Sequence, residues 1–355
     1  MYHRVSADKY QQCIRQGHRY KIPASNNATP QHPPACGYPA DINQIGDNIL
    51  VRDNFEELDI LPLRYSTFQD FVLSLEPWEK QLLEHTELSD DPQRIARLLT
   101  EGTLLFLSSD GSVRNNTIGS FGFTVTHVSS RKRLATGRGP VPGKSPSSFR
   151  AEAYGALAVG RFLKRFSEYT GVVLSQHVCH WIDNESLVRR IKHNIDKKYD
   201  TPNSTLTADW DVVQEVHQTF SGIPGITYKP KWIKSHQDAT TTYHKLTLAA
   251  QINCDADSQA NSFYSTEQGQ RPCQLVPMLP HTQAHLVING YTVTSRYKTA
   301  IREAATLPQY YTYLCHRFNW APDIPNRVDW DVHSVLLYPY DDQRPTIVKH
   351  IHGIA

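Results

Sequence analysis

The sequence predicts an α/β fold in which a five-stranded mixed sheet carries helices on both of its faces. Runs of β-branched and aromatic residues alternate with segments whose apolar residues recur at helical spacing. Between residues 102 and 265 these patterns give three strands, a helix, a strand, two helices, a strand and a helix. Because crossover connections are right-handed, this order places the fourth strand beside the first, in parallel with it.

The first strand of this region is the segment 104–112, an apolar run that ends in Asp-Gly-Ser. The polar ending predicts that the strand runs out into a turn, which leaves Asp110 at its carboxyl end. The other strands are predicted at 118–128, 131–137, 178–182 and 226–233. The helices are predicted at 149–168, 187–195, 209–220 and 249–263.

The N-terminal flank is predicted to be irregular at first and then mainly helical. Residues 1–48 are an irregular lead-in, because 22–46 is crowded with Pro, Asn, Ala and Gly and has no sustained period. Residues 49–101 are a helical connector that breaks at Pro77. A zinc site in the lead-in is an alternative to ordinary surface residues, although its spacing matches no standard finger. Its ligands would be Cys13, His18, His32 and Cys36.

The C-terminal flank, residues 266–355, is predicted to be a small α+β segment after a proline-rich linker. The Asn289-Gly290 pair predicts a hairpin, because both residues accept the backbone conformation of a tight turn. Two helical patterns follow, near 297–305 and 308–318. The chain is therefore predicted to contain a central domain, 102–265, with three smaller flanking segments.

The composition is that of an ordinary globular protein, with 39% hydrophobic and 20% charged residues and a formal net charge of +2. This balance leaves a nucleic-acid partner open, because a phosphate-binding face needs local clustering and not a global excess. No apolar run reaches the roughly 18 residues of a membrane span, and the N-terminus lacks the apolar core of a secretory signal. The six dispersed cysteines predict reduced thiols and an intracellular protein, nuclear or cytoplasmic.

Four carboxylates and one histidine stand at informative places in this predicted fold. Asp110 follows the first strand, Asp183 follows the fourth, and His236 follows the fifth. Glu152 lies near the start of the first long helix, and Asp257 lies on the last helix. Because the first and fourth strands are neighbours, Asp110 and Asp183 should meet at the topological switch point, where α/β sheets bind their ligands.

In this order, the motifs around these five residues resemble those of type 1 ribonuclease H, especially the ribonuclease H domains of reverse-transcribing elements. The resemblance covers about residues 102–265 and includes the element that carries each acid as well as its neighbours. It implies a ribonuclease H-like fold and a retroelement origin. It also implies an endonuclease that cuts the RNA strand of an RNA–DNA hybrid and leaves 3′-hydroxyl and 5′-phosphate ends.

The resemblance also implies how the acids act. Two divalent cations promote phosphodiester hydrolysis by activating a water on one side and stabilising the leaving oxygen on the other, and carboxylates are the hard ligands they need. Asp110, Glu152, Asp183 and Asp257 would hold two Mg²⁺ ions, which Mn²⁺ can replace, and Asp110 would be shared by both. His236 resembles a mobile histidine that assists product release or proton transfer. Without metal, such carboxylates should titrate together and retain protons.

Three features depart from the family pattern or leave a choice open. Asp255 competes with Asp257, but residues two positions apart on a helix face roughly opposite sides. From His236 to Asp257 is 21 positions (257 − 236), and the insertion at 238–248 makes the placing of His236 less certain than that of the acids. The segment 196–208 is too short for the basic handle that some bacterial members use, so duplex binding must come from elsewhere.

Candidates for that binding are polar and basic residues near the motifs. Asparagine side chains can contact 2′-hydroxyls or phosphates in a minor groove, and basic side chains can pair with phosphates. The residues predicted to contact substrate are Ser112, Asn116, Arg150, Asn184 and Asn253. Further basic candidates, for which a solvated helix face is the alternative, are Arg189, Arg190, Lys192, Lys197 and Lys198.

Two other functions are compatible with this fold. One is a catalytically inactive nucleic-acid-binding remnant, which the intact set of acids disfavours. The other is a transposase or integrase of the same fold superfamily, whose members carry a Glu on the last helix and lack an early acid such as Glu152. An RNA–DNA hybrid is therefore the predicted partner, whereas the sequence indicates no particular protein partner.

Overall fold

The computed structural model describes residues 65–101, 104–196, 204–328 and 330, together with the backbone of short strands between residues 2 and 52. The chain forms two compact units, residues 1–66 and 67–355. The strands of the first unit are β1 (Tyr2–Ser6), β2 (Lys9–Gln12), β3 (Ile14–Gln16), β4 (Arg19–Lys21), β5 (Asp41–Ile45) and β6 (Asn48–Arg52). β1 pairs with β2, and the others form a sheet in the order β3-β4-β6-β5.

The strands β1 to β5 fall where the sequence predicts an irregular lead-in, residues 1–48. Pairing between strands satisfies backbone N–H and C=O groups whatever the side-chain period, so a segment without periodicity can still form short strands. The proposed zinc ligands, Cys13, His18, His32 and Cys36, lie outside the described residues.

The large sheet of the second unit contains six strands, one more than predicted. They are β7 (His85–Leu88), β8 (Leu104–Arg114), β9 (Ile118–His127), β10 (Lys132–Val141), β11 (His177–Ile182) and β12 (Thr227–Trp232). Their order is β12-β11-β8-β9-β10-β7, in which β12, β11 and β8 are parallel and the other neighbours antiparallel. The predicted mixed sheet is confirmed, including the parallel pairing of the first and fourth predicted strands.

The additional strand, β7, pairs with β10 at the edge of the sheet. Its four residues, His-Thr-Glu-Leu, are too few and too polar to show a strand period. Its strand conformation therefore depends on tertiary pairing more than on local propensity. β7 and its flanking helices belong to the same compact unit as the rest of the sheet.

Nine helices are described in the second unit. They are α1 (Phe68–Leu73), α2 (Pro77–Leu83), α3 (Pro92–Glu101), α4 (Ser148–Thr170), α5 (Glu185–Asp196), α6 (Trp210–Ser221), α7 (Leu248–Phe263), α8 (Tyr297–Phe318) and α9 (Ile324–Arg327). The two helices that carry site residues are capped by hydroxyl groups: Ser147 accepts from the N–H of Arg150 and Thr247 from that of Ala250. Such caps satisfy N–H groups that have no partner within the helix.

The C-terminal flank contains the predicted hairpin, β13 (Leu286–Ile288) and β14 (Tyr291–Val293), joined at Asn289-Gly290. The two predicted helices that follow are a single helix, α8, with Pro308 inside it. Because Pro308 is exposed, water can satisfy the carbonyl group that the proline leaves without a partner. Among the described helices, none has both the length and the hydropathy that a membrane crossing requires.

Helices cover both faces of the sheet. On one face, the ring of Phe123 in β9 packs 5.9 Å from that of Phe162 in α4. On the other face, the hydroxyl of Ser120 in β9 donates to the carbonyl of Ala260 in α7 over 2.7 Å. The α4 face is therefore apolar and aromatic, whereas the α7 face is lined by small and polar side chains that allow a close approach.

Two glycines bring these helices to the backbone at the level of Asp110. A Cβ atom on Gly111 would lie 2.3 Å from the backbone nitrogen of Glu152 in α4. A Cβ atom on Gly122, the cross-strand partner of Asp110, would lie 2.2 Å from the carbonyl oxygen of Ala256 in α7. Only glycine permits such contact, and it places the acids of both helices beside β8.

Candidate active site

The strand register places Asp110 beside Asp183. Ser109 of β8 is the partner of Ile182, the last residue of β11. Asp110 and Asp183 each follow directly after one member of this pair, so they lie side by side. The prediction that β8 ends at Asp110 is wrong, because its hairpin with β9 continues to the pair Arg114–Ile118. β11 nevertheless ends at this level, so β8 has no neighbouring strand on that side from Asp110 onwards.

Three of the four predicted acids form one cluster. Asp110, Glu152 and Asp183 each offer a carboxylate oxygen, and these three oxygens lie within 4.8 Å of one another. They come from β8, from the first turns of α4 and from the end of β11. Asp110 and Glu152 are 6% and 5% exposed, whereas Asp183 is half-buried. The cluster therefore opens to solvent on the Asp183 side.

Burial and mutual repulsion favour the protonated forms of Asp110 and Glu152. Burial first, and then the charges of Asp183 and Asp257, raise the pKa of Asp110 to about 8. Burial and the charges of Asp110 and Asp183 also raise the pKa of Glu152 well above its ordinary value. These directions agree with the predicted retention of protons by a carboxylate cluster without metal.

The oxygen Oε2 of Glu152 is buried, and no described group donates a hydrogen bond to it. Its polar neighbours are the carboxylates of Asp110 and Asp183, which accept hydrogen bonds but do not donate them unless protonated. A buried carboxylate without a donor is costly, so a proton or a cation is needed between these groups. Converging hard oxygen atoms of this kind fit a divalent cation such as Mg²⁺.

Asp257 approaches the cluster from α7 but is not one of its three closely spaced members. It is half-buried, and burial raises its pKa, an effect that the neighbouring imidazole of His236 opposes. Repulsion from Asp183 also raises this pKa. The amide of Asn261, one turn later on α7, donates to Oδ1 of Asp257 over 2.8 Å. A residue of its own helix therefore orients the Asp257 side chain, and its carboxylate interacts electrostatically with the cluster.

The competing acid, Asp255, has a different partner. Nε of Arg133 in β10 donates to Oδ2 of Asp255 over 2.7 Å, and the hydroxyl of Tyr243 donates to its Oδ1 over 2.7 Å. Arg133 also donates to the Tyr243 hydroxyl over 2.9 Å. Asp255, on α7, therefore links two other parts of the domain: Arg133 of β10 and Tyr243 of the insertion.

The insertion after β12, residues 238–248, contains short 3-10 turns, and His236 lies two residues before it. His236 is exposed, has a φ of 48° and caps a short 3-10 turn, Gln237–Ala239. Leu246, at the other end of the insertion, is buried in a small second core with Ile233 and Ala250. The imidazole thus reaches the vicinity of Asp257 from a surface turn and not from the sheet.

Arg150, predicted to contact substrate, is a buried structural residue. Its guanidinium is 1% exposed and pairs with Asp209 and Asp211 at 3.1 Å and 2.9 Å. Its Nε also donates to the carbonyl of Pro142 over 3.0 Å. The prediction is wrong because Arg150 and Glu152, two residues apart on α4, point in different directions, and only Glu152 faces the carboxylates of Asp110 and Asp183.

The other predicted substrate contacts have mostly local roles. Oδ1 of Asn184 accepts from the N–H of Leu187 over 3.0 Å and caps α5. Asn116 adopts a φ of 54° in the β8–β9 turn, which begins only after β8 has continued four residues past Asp110, about 13 Å at roughly 3.3 Å per residue. Asn253 is only 4% exposed. The hydroxyl of Ser112 donates to Asn261 over 3.4 Å, and Ser112 thus supports the Asp257 side chain indirectly.

The basic candidates on α5 also have local partners. Arg189 is exposed and pairs with Glu185 at 2.7 Å. Arg190 donates to the carbonyl of Ala208 over 2.6 Å and lies over the ring of Phe149. Lys192 is exposed, whereas Lys197 and Lys198 lie outside the described residues.

Comparison of the chain with protein-family models and with curated proteins gave no match. Solved structures include similar domains. For the N-terminal RNase H domain of Rv2228c from Mycobacterium tuberculosis, the identity is 15% and the TM-score 0.31, over 45% of this chain and 93% of that one. For LC11-RNase H1 in complex with an RNA/DNA hybrid, the values are 14% and 0.30, over 44% and 94%.

A foamy viral protease–reverse transcriptase in complex with an RNA/DNA hybrid is also similar, with 7% identity and a TM-score of 0.30 over 46% of this chain and 20% of that one. In the present chain, three antiparallel strands are followed by two parallel crossover strands on the β8 side, with helices on both faces. This is the sheet arrangement that the sequence resemblance to ribonuclease H predicts. The sheet places the acids of β8 and β11 at the switch point predicted for this fold.

Two residues of this domain were not predicted from the sequence to have a role at the site. Asn261 was missed although it lies four residues after Asp257, a spacing at which an amide can orient a carboxylate. Trp232, four residues before His236, was also missed. Its indole Nε1 donates to the backbone carbonyl of Asp183 over 3.0 Å, and its ring is 50% exposed.

Proposed function

We propose that this chain is a metal-dependent endonuclease that hydrolyses the RNA strand of an RNA–DNA hybrid. The observation that carries the proposal is the cluster of Asp110, Glu152 and Asp183, whose oxygens converge within 4.8 Å. Three elements distant in sequence converge there, and the buried Oε2 of Glu152 has no donor among the described residues. Structural ion pairs account for other buried acids of this domain, such as Asp211, but not for these.

Asp110, Glu152 and Asp183 would hold the cations, and Asp257 would complete the set from α7. Two divalent ions bound there supply an activated water and stabilise the leaving oxygen. The chain itself fixes the ligand positions through the β8–β11 register and through the close approach of α4 and α7 to β8. The exposed imidazole of His236, which interacts electrostatically with Asp257, would exchange a proton with the departing group.

The substrate class is proposed from the order and neighbours of the sequence motifs. A carboxylate pair or triad alone serves many phosphodiester hydrolases, so the geometry supports a nuclease and the motif resemblance supports the RNA–DNA hybrid. Mg²⁺ is the proposed ion, because the ligands are all hard oxygen atoms. The expected products carry 3′-hydroxyl and 5′-phosphate ends.

The proposal is tested by incubating the full chain and Mg²⁺ with end-labelled RNA–DNA hybrid, double-stranded RNA, double-stranded DNA and single-stranded RNA. We expect cleavage of the RNA strand of the hybrid, no cleavage in EDTA, and none by Asp183→Asn. Binding of hybrid without cleavage by the wild-type chain would contradict the enzyme and indicate an inactive remnant. Strand transfer on DNA would instead indicate a transposase-like activity.

Two neighbouring acids of α7 provide a matched pair of variants. Asp257→Asn should lower kcat on the hybrid about 100-fold, because it removes one charge beside the cations without removing the cluster. Asp255→Asn should retain kcat within about threefold but lower the Tm, because it breaks the ion pair with Arg133. Hybrid cleavage and thermal unfolding are measured for both. The assignment fails if Asp255→Asn, and not Asp257→Asn, is the inactive variant.

A further inference from the structure

The edge strand β12, at the opposite end of the sheet from β7, carries exposed residues that the hydrolysis itself does not use. Three lysines and one tryptophan lie within six residues: Lys229, Lys231, Trp232 and Lys234, here called the edge strip. All four are exposed, and the segment 222–237 contains no Asp or Glu. Among the described residues, no carboxylate lies within ion-pair distance of these lysines. The strip is therefore a local positive patch on a chain whose net charge is only +2.

The edge strip begins next to the carboxylate cluster. Trp232 is paired with Ile182 in the sheet, and its indole N–H donates to the carbonyl of Asp183 over 3.0 Å. This hydrogen bond fixes the ring beside a proposed metal ligand while half of the ring remains exposed. A rigid aromatic face at the rim of a nuclease site is suited to stacking on a nucleotide.

The lysines continue along the same edge. Lys229 and Lys231 are two residues apart, so they lie on one face of β12, about 6.6 Å from each other. The ammonium group of Lys231 lies 5.0 Å from the centre of the Trp181 ring on the adjacent strand, which limits its movement. β12 has no strand on its outer side, so this edge of the sheet is open. Because side chains alternate along a strand, Lys229 and Lys231 lie on one face of the edge and Trp232 on the other.

Protection of the sheet edge explains only part of this composition. Lysines and prolines are common on edge strands because they discourage pairing with other chains, which fits Lys229, Lys231 and Pro230. A half-exposed tryptophan on the same edge would have the opposite effect. A partner with negative charges and flat rings accounts for both kinds of residue, since phosphates pair with lysines and bases or sugars pack on the indole.

We propose that the edge strip binds a nucleic-acid strand as it leaves the cluster, with Trp232 stacked on the nucleotide next to the cleaved position and the lysines on phosphates. This inference rests on the proposed function, because the nucleotide is placed relative to the carboxylates. It adds a binding surface on β12 to a site whose predicted substrate contacts have mostly local roles.

The test measures binding of fluorescein-labelled RNA–DNA hybrid to the full chain in an uncleaving Asp110→Asn background. Trp232→Leu should raise the Kd about 10-fold, because stacking of one base is worth about 1–3 kcal/mol. Trp232→Phe keeps a ring but loses the bond to Asp183, and should stay within about threefold of the parent. If Phe is as harmful as Leu, the tryptophan positions Asp183 and does not stack, and the proposal is overturned.

The lysines are tested by the salt dependence of the same Kd. Lys229→Gln with Lys231→Gln should reduce the slope of log Kd against log salt by about 1.5, as expected for two lost phosphate contacts. The matched control, Lys298→Gln with Arg302→Gln, removes two exposed charges from α8 and should leave the slope unchanged. Equal slopes for the two double variants would contradict the proposal that the lysines of the edge strip contact phosphates.

The strip and the proposed hydrolysis fail in different ways. If the wild-type chain cleaves nothing but Trp232→Leu still weakens hybrid binding, only the hydrolase proposal fails. If the chain cleaves hybrid and Trp232→Leu changes neither Kd nor KM, only the proposal that the edge strip binds a nucleic-acid strand fails. Thermal unfolding of each variant separates a local loss of binding from a loss of folding.

Discussion

Asp110→Asn should lower the rate of hybrid cleavage by about a thousandfold or more, the largest effect expected of any single carboxylate here. Asp110 is the central member of the cluster: its carboxylate interacts electrostatically with Glu152, Asp183 and Asp257. Replacing it with an amide removes the charge that two cations would share, and a loss of about 4 kcal/mol in transition-state stabilisation corresponds to this factor. Single-turnover cleavage at saturating Mg²⁺ measures it.

The same substitution should stabilise the chain in the absence of metal. Asparagine is nearly isosteric with aspartate and removes a buried, repelled charge, so the Tm in EDTA at pH 8 should rise by about 5 °C. Loss of activity together with a higher Tm distinguishes a lost metal ligand from a damaged fold. An inactive variant whose Tm falls, or an active variant, would contradict the role given to Asp110.

Arg150→Ala should destabilise the chain by about 3–5 kcal/mol, the largest expected effect on folding. The substitution leaves Asp209 and Asp211 buried without the cation that both of them contact. Burial with an ion pair yields little net stability, but removal of one partner leaves an uncompensated buried charge. Urea unfolding monitored by circular dichroism measures the change.

An exposed arginine provides the comparison. Arg189→Ala removes an i,i+4 pair with Glu185 on the surface of α5 and should change the free energy of unfolding by less than about 0.5 kcal/mol. Arg150→Lys keeps the positive charge without the planar fork and should fall between these two variants. If Arg150→Ala unfolds like the wild type but has a raised KM, Arg150 contacts substrate after all.

The sequence predicted the elements that carry the acids because each has a strong local pattern. The apolar run before Asp110 and the one before Asp183 identify adjacent strands, and the right-handed crossover then determines their proximity. The choice of Asp257 over Asp255 followed from the motif resemblance, in which the acid lies four residues after Asn253 and three before Ala260. Helical spacing added only that Asp255 faces roughly the opposite side, and there it pairs with Arg133. Local patterns were sufficient wherever a single element determined the direction of a side chain.

The wrong predictions concern residues whose roles depend on distant parts of the chain. Arg150 looks like a surface cation beside a motif, and its partners, Asp209 and Asp211, lie about 60 positions away. β7 is visible only through its pairing with β10, and the continuation of β8 past Asp110 only through its hairpin with β9. The periodicity of a sequence does not reveal such pairings. Polar residues near a motif are therefore easily predicted to contact substrate when they instead stabilise the fold.

The account depends on the claim that carboxylates from three elements form one cation site, and the Tm of the chain as a function of pH and Mg²⁺ tests it most directly. The folded-state pKa of Asp110, about 8, lies above its ordinary value of 3.8, so the folded chain holds more protons between these values. Stability in EDTA therefore includes a contribution that is lost as the pH rises through this range.

At pH 8 we expect Mg²⁺ to restore that stability, by about 2.7 kcal/mol at a hundredfold excess over its Kd. The effect of Mg²⁺ should shrink as the pH is lowered towards 4, and it should be largely absent in Glu152→Gln and Asp110→Asn. A Tm that does not respond to Mg²⁺ at pH 8, or that responds equally in wild type and Glu152→Gln, would contradict the shared cation site.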